Sequence, residues 1–144
     1  MRLVGRISHM RHIAPLLLAL LLSACATTSS HQFAPPAADW KTKTGQLAYR
    51  DPQMSLIGEV LVRYSAAGDV ELQFSKGPGV TLLVLRQDAQ FASAEGPLAR
   101  GRWSGSTANA PERLRGWFAL REQILKGGAT VRFTSGAESF NLRF

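Results

Sequence analysis

From Trp40 onward the sequence consists of short runs rich in β-branched and aromatic residues, separated by turn-forming residues. In the run Val70–Ser75, apolar and polar residues alternate strictly, which is the period-two pattern of a strand with one buried face. Ala67–Asp69 separates this run from the longer run Leu56–Tyr64, so the two runs predict an antiparallel hairpin. Because a helix has a period of 3.6 residues, this alternation restricts the region to β structure.

One stretch near the C-terminus has a helical period instead. Pro111 suits the first turn of a helix, and Gly127–Gly128 suit its end, just after Lys126. The sequence therefore predicts a mainly β fold: a strongly curved antiparallel sheet of about eight strands, a half-barrel or incomplete barrel, with one helix packed on it. The other predicted strands are Gly45–Tyr49, Val80–Leu85, Gln90–Ala94, Ala99–Trp103, Ala129–Thr134 and Glu138–Phe144, and the apolar helix face comprises Leu114, Trp117, Phe118, Ile124 and Leu125.

The N-terminal residues have a different pattern. Three arginines among the first eleven residues precede an apolar run, Ile13–Ala24, and Cys25 is the only cysteine of the chain. A basic segment followed by an apolar core too short to span a membrane is typical of a secretory signal. Leu22–Cys25 resembles the lipobox of bacterial lipoproteins, in which the cysteine thiol is diacylated and the peptide is cut before it. The alternative is an ordinary signal peptide with an incidental cysteine.

The lipobox resemblance implies a division of the chain. Residues 1–24 are then a lipoprotein signal peptide, 25–39 the lipidated Cys25 and a flexible tether, and 40–144 a half-barrel β domain. A diacylglycerol and an N-acyl chain on Cys25 form a stable anchor, because such anchoring takes more than one acyl chain. Ala26 replaces the aspartate that retains lipoproteins in the inner membrane in enterobacterial-type sorting. The expected location is thus the outer membrane, facing the periplasm.

Charge and cysteine content limit the possible partners. Removing residues 1–24 lowers the formal net charge from +7 to +4, since it removes three arginines and no acidic residue. The remaining basic residues are scattered between Lys41 and Arg143 rather than clustered, which argues against nucleic acid as a partner. With Cys25 acylated, no disulfide can form within the monomer, so packing must hold the domain together.

The predicted domain lacks the groups of the common catalytic sites. His9 and His12 belong to the signal segment and His31 to the tether, so the domain contains neither histidine nor cysteine. A Ser-His-Asp triad, a Cys-His pair and a zinc site each need one of these residues. Glu59 and Glu71 are the candidates for a carboxylate pair across the first hairpin, but both lie on the polar face with Arg63, which favours solvated surface charges. We therefore predict that the chain is not an enzyme and has no metal site or other cofactor.

The apolar content exceeds that of a simple alternating sheet. Leu82–Leu85 is apolar on both faces, so this strand is either covered on both sides or lines an apolar cavity. Two interpretations remain open: an ordinary core beneath the helix, or a curved sheet that leaves room for acyl chains. For the second, the candidate lipid-binding residues are Leu83, Leu85, Trp103, Trp117 and Phe118.

The order of these features resembles the outer-membrane lipoprotein receptor family LolB and its half-barrel relative LolA. The resemblance runs loosely over residues 40–144 and follows a lipobox and a short tether. It is carried by a Trp-x(3–4)-Gly-x-Leu-Ala start, a Gly-Pro-type turn before an apolar strand, and a late Pro-Leu-Trp-aromatic helix. The matching residues are Trp40, Gly45, Leu47, Ala48, Gly68, Asp69, Leu72, Gly77–Val80, Pro111, Leu114, Trp117 and Phe118.

The resemblance implies a lipoprotein that binds an acyl chain or another lipoprotein and acts in lipoprotein localisation. The alternative is a non-enzymatic accessory lipoprotein of an envelope assembly or transport machine, with its apolar face docked on a protein. In both cases the partners are the membrane, through the anchor, and lipoproteins or an envelope complex. Lipid that co-purifies with the domain would separate the two.

Overall fold

The computed structural model describes residues 31–144, which contain an antiparallel sheet of eight strands and one helix near the C-terminus. The predicted signal peptide, Cys25 and the first part of the predicted tether lie outside the described residues. The predicted class, mainly β with one helix in the C-terminal half, is confirmed. The strands are β1 (Lys41–Arg50), β2 (Ser55–Tyr64), β3 (Val70–Ser75), β4 (Thr81–Gln87), β5 (Phe91–Gly96), β6 (Gly101–Ser106), β7 (Thr130–Ser135) and β8 (Glu138–Arg143), and the helix is α1 (Glu112–Leu125).

The strand order in the sheet is β6-β5-β4-β3-β2-β1-β8-β7. The first six strands form a meander in which each strand pairs with the next, and short turns suffice because the neighbours are antiparallel. β8 then pairs with β1, so the last strand returns beside the first. Helix α1 connects β6 to β7, which are the two edge strands of the sheet.

The sixth strand begins later than its sequence predicts. Residues Pro97–Ala99 form a 3-10 turn, followed by Arg100 and Gly101, both with positive φ. A chain in this conformation cannot continue a strand, so β6 starts only at Gly101. The strand then extends to Ser106, three residues beyond the predicted end at Trp103.

The face of the sheet beneath α1 carries the core. Along every strand except β6, buried apolar residues alternate with residues that remain at least partly accessible, as the period-two pattern predicts. Helix α1 contributes Leu114, Gly116, Trp117, Phe118, Leu120 and Ile124 to the same core. The buried apolar strand residues are Leu47, Tyr49, Val60, Val62, Val70, Leu72, Phe74, Leu83, Leu85, Ala92, Ala94, Val131, Phe140 and Leu142.

Two glycines allow backbone to approach closely. A Cβ on Gly116 would lie 3.1 Å from the Phe140 ring and 3.1 Å from Oε1 of Glu138, so α1 packs directly against β8 at this point. A Cβ on Gly45 would overlap the carbonyl oxygen of Arg143, where β8 ends beside β1. Gly116 therefore lowers helix propensity by about 1 kcal/mol but permits the helix–sheet contact.

Candidate functional site

Four of the five candidate lipid-binding residues lie inside the core. Leu83, Leu85, Trp117 and Phe118 are exposed by 0%, 2%, 1% and 5%, respectively. Trp103 differs, because it is half-buried on the edge strand β6 and packs against the core from the margin. The structure therefore places all five in one apolar cluster, with only Trp103 reaching its periphery.

An aromatic layer forms the centre of this cluster. The Trp117 ring lies 4.8 Å from the ring of Tyr49, 5.8 Å from that of Phe74 and 5.0 Å from that of Phe140. The Trp117–Phe140 pair meets edge to face, at 86°, an arrangement favoured by the ring quadrupoles. The layer continues to the margin through Phe118 and Trp103, whose ring centroids are 5.4 Å apart.

Of four depressions on the described surface, one touches this layer at Trp103 and another at Phe140. None of them is lined by Leu83, Leu85, Trp117 or Phe118. One depression, of about 430 Å³, is lined by Trp103 together with Phe33 and Val84. Its wall also carries the ion pair between Arg102 and Glu95, at 2.8 Å. This depression is an open, partly apolar surface with charged residues of both signs at its rim.

A polar cluster that the sequence analysis missed joins β1 and the turn after it to the last strand, β8. The hydroxyl of Tyr49 lies 2.8 Å from Oε2 of Glu138 and 3.0 Å from Oδ2 of Asp51. Glu138 is 89 residues from Tyr49 in sequence, and no spacing or motif connects them. The contact arises because β8 pairs with β1, which sets Phe140 opposite Tyr49.

The pKa values of the two carboxyl groups in this cluster are shifted in opposite directions. Burial raises the pKa of Glu138, and the charge of Asp51 raises it further, although the Tyr49 hydrogen bond opposes this. Hydrogen bonds from the backbone N–H of Gln53 and of Met54 and from Tyr49 lower the pKa of Asp51. Burial and the two carboxylates raise the pKa of Tyr49.

Hydrogen counting agrees with these directions. The phenol of Tyr49 has one hydrogen and cannot donate to two carboxylates at once. Asp51 also accepts hydrogen bonds from two backbone N–H groups, which favour its ionised form. The Tyr49 hydroxyl therefore donates either to Oε2 of Glu138 or to Oδ2 of Asp51 at any one time. The cluster thus shares one phenolic hydrogen between two carboxyl groups.

The carboxylate pair considered from sequence does not form. Glu71 lies opposite Arg63 and forms ion pairs with Arg63 and with Arg86, the latter at 3.2 Å. Glu59 lies opposite Gln46 on one side and Ser75 on the other. The hairpin register rules out a pairing of Glu59 with Glu71, because it offsets them by four residues along the strand. Within residues 31–144 no group of three His, Cys, Asp or Glu side chains is placed to hold a metal ion.

Comparisons with known proteins leave the family unidentified. The sequence matches no protein-family model. It also shows no significant similarity to any curated protein. In the described part of the chain, the helix is too short and too polar to cross a bilayer. The fold is therefore shown as an eight-stranded antiparallel sheet with one helix, and the resemblance to LolB stays a prediction.

Proposed function

We propose that the chain is an outer-membrane lipoprotein, anchored through Cys25 and facing the periplasm, whose domain binds an acyl chain or another lipoprotein. The observation that carries this proposal is the aromatic layer beneath α1, which reaches the margin at the Trp103–Phe118 contact. At this margin an acyl chain can first contact the half-buried ring of Trp103. It can then extend inward only as α1 moves away from the sheet.

The dimensions of the sheet support the half-barrel part of the proposal. Eight strands at about 4.8 Å spacing would form a flat sheet roughly 34 Å wide, whereas a helix with its side chains is about 10 Å across. Yet residues near both edges are buried, Ala92 and Ala94 on β5 and Val131 on β7. A sheet that curls around α1 explains how a single helix covers so many strands.

The connections of α1 support its role as a movable cover. Gly127 and Gly128, both with positive φ, follow the helix directly and can accommodate a change of direction. On the other side, residues 107–111 link α1 to β6. A cover held between two edge strands can open from one edge while it remains attached at the other.

A specific observation favours the alternative function as well. Leu83 and Leu85 lie in a filled core rather than beside a cavity. A filled core suits an accessory lipoprotein that docks on an envelope complex by its surface and binds no lipid. We keep this alternative as the second proposal, and the same experiment decides between them.

The experiment is a titration of the domain, residues 26–144, with a fluorescent fatty acid, combined with mass spectrometry for co-purifying lipid. We expect Trp103→Ala to weaken probe binding while the domain stays folded in urea titrations. The matched control is Phe133→Ala, which removes a half-buried aromatic ring on the opposite edge strand, β7. This control should retain probe binding.

Two outcomes would contradict acyl binding. If the wild-type domain carries no lipid and binds no probe, the accessory-subunit proposal replaces it. If both variants weaken binding equally, the probe reports general loosening of the core and not a site at Trp103.

The anchor is tested separately: Cys25→Ser should abolish incorporation of radiolabelled palmitate, and labelled Cys25→Ser protein would refute the lipobox assignment.

A further inference from the structure

The described part of the predicted tether lies against the domain. The His31 ring stacks on Phe91, with centroids 4.1 Å apart and planes at 15°, and meets Phe33 edge to face at 4.9 Å. Nε2 of His31 lies 2.6 Å from Oδ2 of Asp88, in the turn between β4 and β5. Asp88 is itself fixed there, because it accepts hydrogen bonds from the backbone N–H groups of Gln90 and Phe91.

These contacts all lie at one end of the sheet, which we call the tethered end. It comprises the β2–β3 turn Ser65–Asp69, the β4–β5 turn Asp88–Gln90 and the loop Gly127–Ala129. Phe33 and Trp40 line a small crevice there with Val70, the first residue of β3. The opposite, far end comprises the β1–β2 turn Asp51–Met54, the β3–β4 turn Lys76–Val80 and the β7–β8 turn.

We propose that the tethered end faces the membrane and that the far end points into the periplasm. This inference rests on the proposed lipidation of Cys25. Six Cα–Cα steps separate Cys25 from His31, and even a fully extended chain of this length covers only about 20 Å. The membrane surface must therefore lie within that distance of the His31 contacts.

Strand length excludes the reverse orientation. The seven residues of β4, which separate the two ends, span about 23 Å. A lipid attached within about 20 Å of the tethered end cannot extend past the far end and still enter a membrane there. Among residues 31–144, the exposed large apolar residues Met54, Ile57 and Val80 lie in or near the far-end turns, and this orientation presents them to the periplasm.

The tethered end carries charged residues of both signs. Lys41 and Lys43 lie at the start of β1, and Lys126 follows α1 near Gly128, whose carbonyl accepts a hydrogen bond from Lys43. None of the ion pairs among residues 31–144 involves these lysines. Asp39, together with Asp69 and Asp88 in the two turns, carries negative charge at the same end. Juxtamembrane lysines are attracted to anionic bilayers at short range.

The test measures energy transfer from a donor on the protein to acceptor-labelled headgroups in vesicles of phosphatidylethanolamine and phosphatidylglycerol. The full, lipidated protein carries a single introduced cysteine, either Gln90→Cys at the tethered end or Lys76→Cys at the far end. The acylated thiol of Cys25 does not react with the dye. We expect transfer from position 90 to be about twofold higher, because roughly 23 Å of strand separates the two positions.

Two control variants separate the tether from other causes. Inserting about ten Gly/Ser residues before His31 lengthens the chain but keeps the contacts, and it should reduce the difference between the two positions. The double substitution His31→Ser, Phe33→Ser removes the stacked rings and should reduce the difference by undocking the tether. A difference unaffected by both variants would show that the tether does not orient the domain.

Equal transfer from the two positions, or higher transfer from position 76, would overturn the proposed orientation. Failure of the underlying function gives a different result. If Cys25 is not lipidated, the protein incorporates no labelled palmitate and does not sediment with the vesicles. A protein that lacks the lipid is thus distinguishable from a lipidated protein without a preferred orientation.

Discussion

The two faces of the sheet differ in how tightly their apolar side chains are packed. Beneath α1, Phe74 and Leu83 are fully buried and pack in a single cluster with the aromatic layer. On the opposite face, apolar side chains stand among charged residues: Ile57 is 60% exposed and precedes Glu59 on the same face of β2. Both faces belong to the same strands, so local β propensity does not distinguish them.

The difference shows where the stability of the domain resides. Burial of apolar area contributes roughly 25 cal/mol per Å², so the covered face supplies most of the favourable free energy of folding. The outer face contributes mainly cross-strand pairs such as Arg63–Glu71, which is partly exposed through Arg63, and pairs screened by solvent add little. Substitutions on the covered face should therefore lower the unfolding free energy much more than substitutions on the outer face.

The largest effect is expected for Trp117→Ala on the covered face. This substitution removes the ring that contacts Tyr49, Phe74 and Phe140, and leaves a cavity. We expect a loss of about 3–5 kcal/mol in the free energy of unfolding, measured by urea denaturation. A loss below about 1 kcal/mol would mean that the space beneath α1 is already loosely filled, as acyl binding there would require.

Gly116→Ala should also destabilise the domain, although alanine favours helices by about 1 kcal/mol. The added Cβ would press on the Phe140 ring, and such overpacking typically costs about 1–3 kcal/mol. Arg115→Ala is the matched control, because it changes the neighbouring, exposed helix position. If Gly116→Ala raises the unfolding free energy, α1 packs less closely on β8 than described.

The Tyr49 cluster should give the covered face a pH dependence that the outer face lacks. Burial raises the pKa of Glu138 from its ordinary value of 4.5, so the folded state retains a proton that the unfolded chain releases. Stability is therefore highest below this value and falls as pH rises through the raised pKa. Because Glu138 is only partly buried, solvent screening keeps this change well below the loss expected for Trp117→Ala.

Two variants test this sign. Glu138→Gln cannot ionise and should remove the decline, so its unfolding free energy should exceed that of the wild type at high pH. Asp51→Asn should act in the opposite direction, because the lowered pKa of Asp51 stabilises the folded state above its ordinary value and not below it. If the unfolding free energies of the wild type and of Glu138→Gln change in parallel with pH, the pKa of Glu138 is not raised in the folded state.

The smallest effect is expected on the outer face, for Ile57→Thr. Threonine keeps the β-branched shape, and the side chain it replaces is mostly in water, so the unfolding free energy should change by less than about 0.5 kcal/mol. A loss comparable to that of a core substitution would indicate that the outer face packs against something in solution, such as a second copy of the chain.

The sequence by itself determined the local elements and their faces. Alternation in Val70–Ser75 and the helical spacing of Leu114 and Trp117 depend only on residues near each other in the chain. Side chains return to the same face every two residues in a strand and about every 3.6 residues in a helix. These patterns therefore predicted the sheet, the helix and most of the core residues. The predicted start of β6 was wrong because the positive φ angles of Arg100 and Gly101 set where this strand begins.

Tertiary structure alone decided which distant residues meet. The pairing of β8 with β1 brings Glu138 to Tyr49, docking of the tether brings His31 to Phe91, and close packing of α1 on β8 explains Gly116. The hairpin register likewise set Glu71 against Arg63 and not Glu59. Such contacts depend on strand order, register and the fit of side-chain volumes across the whole domain, and no local pattern of residues encodes them.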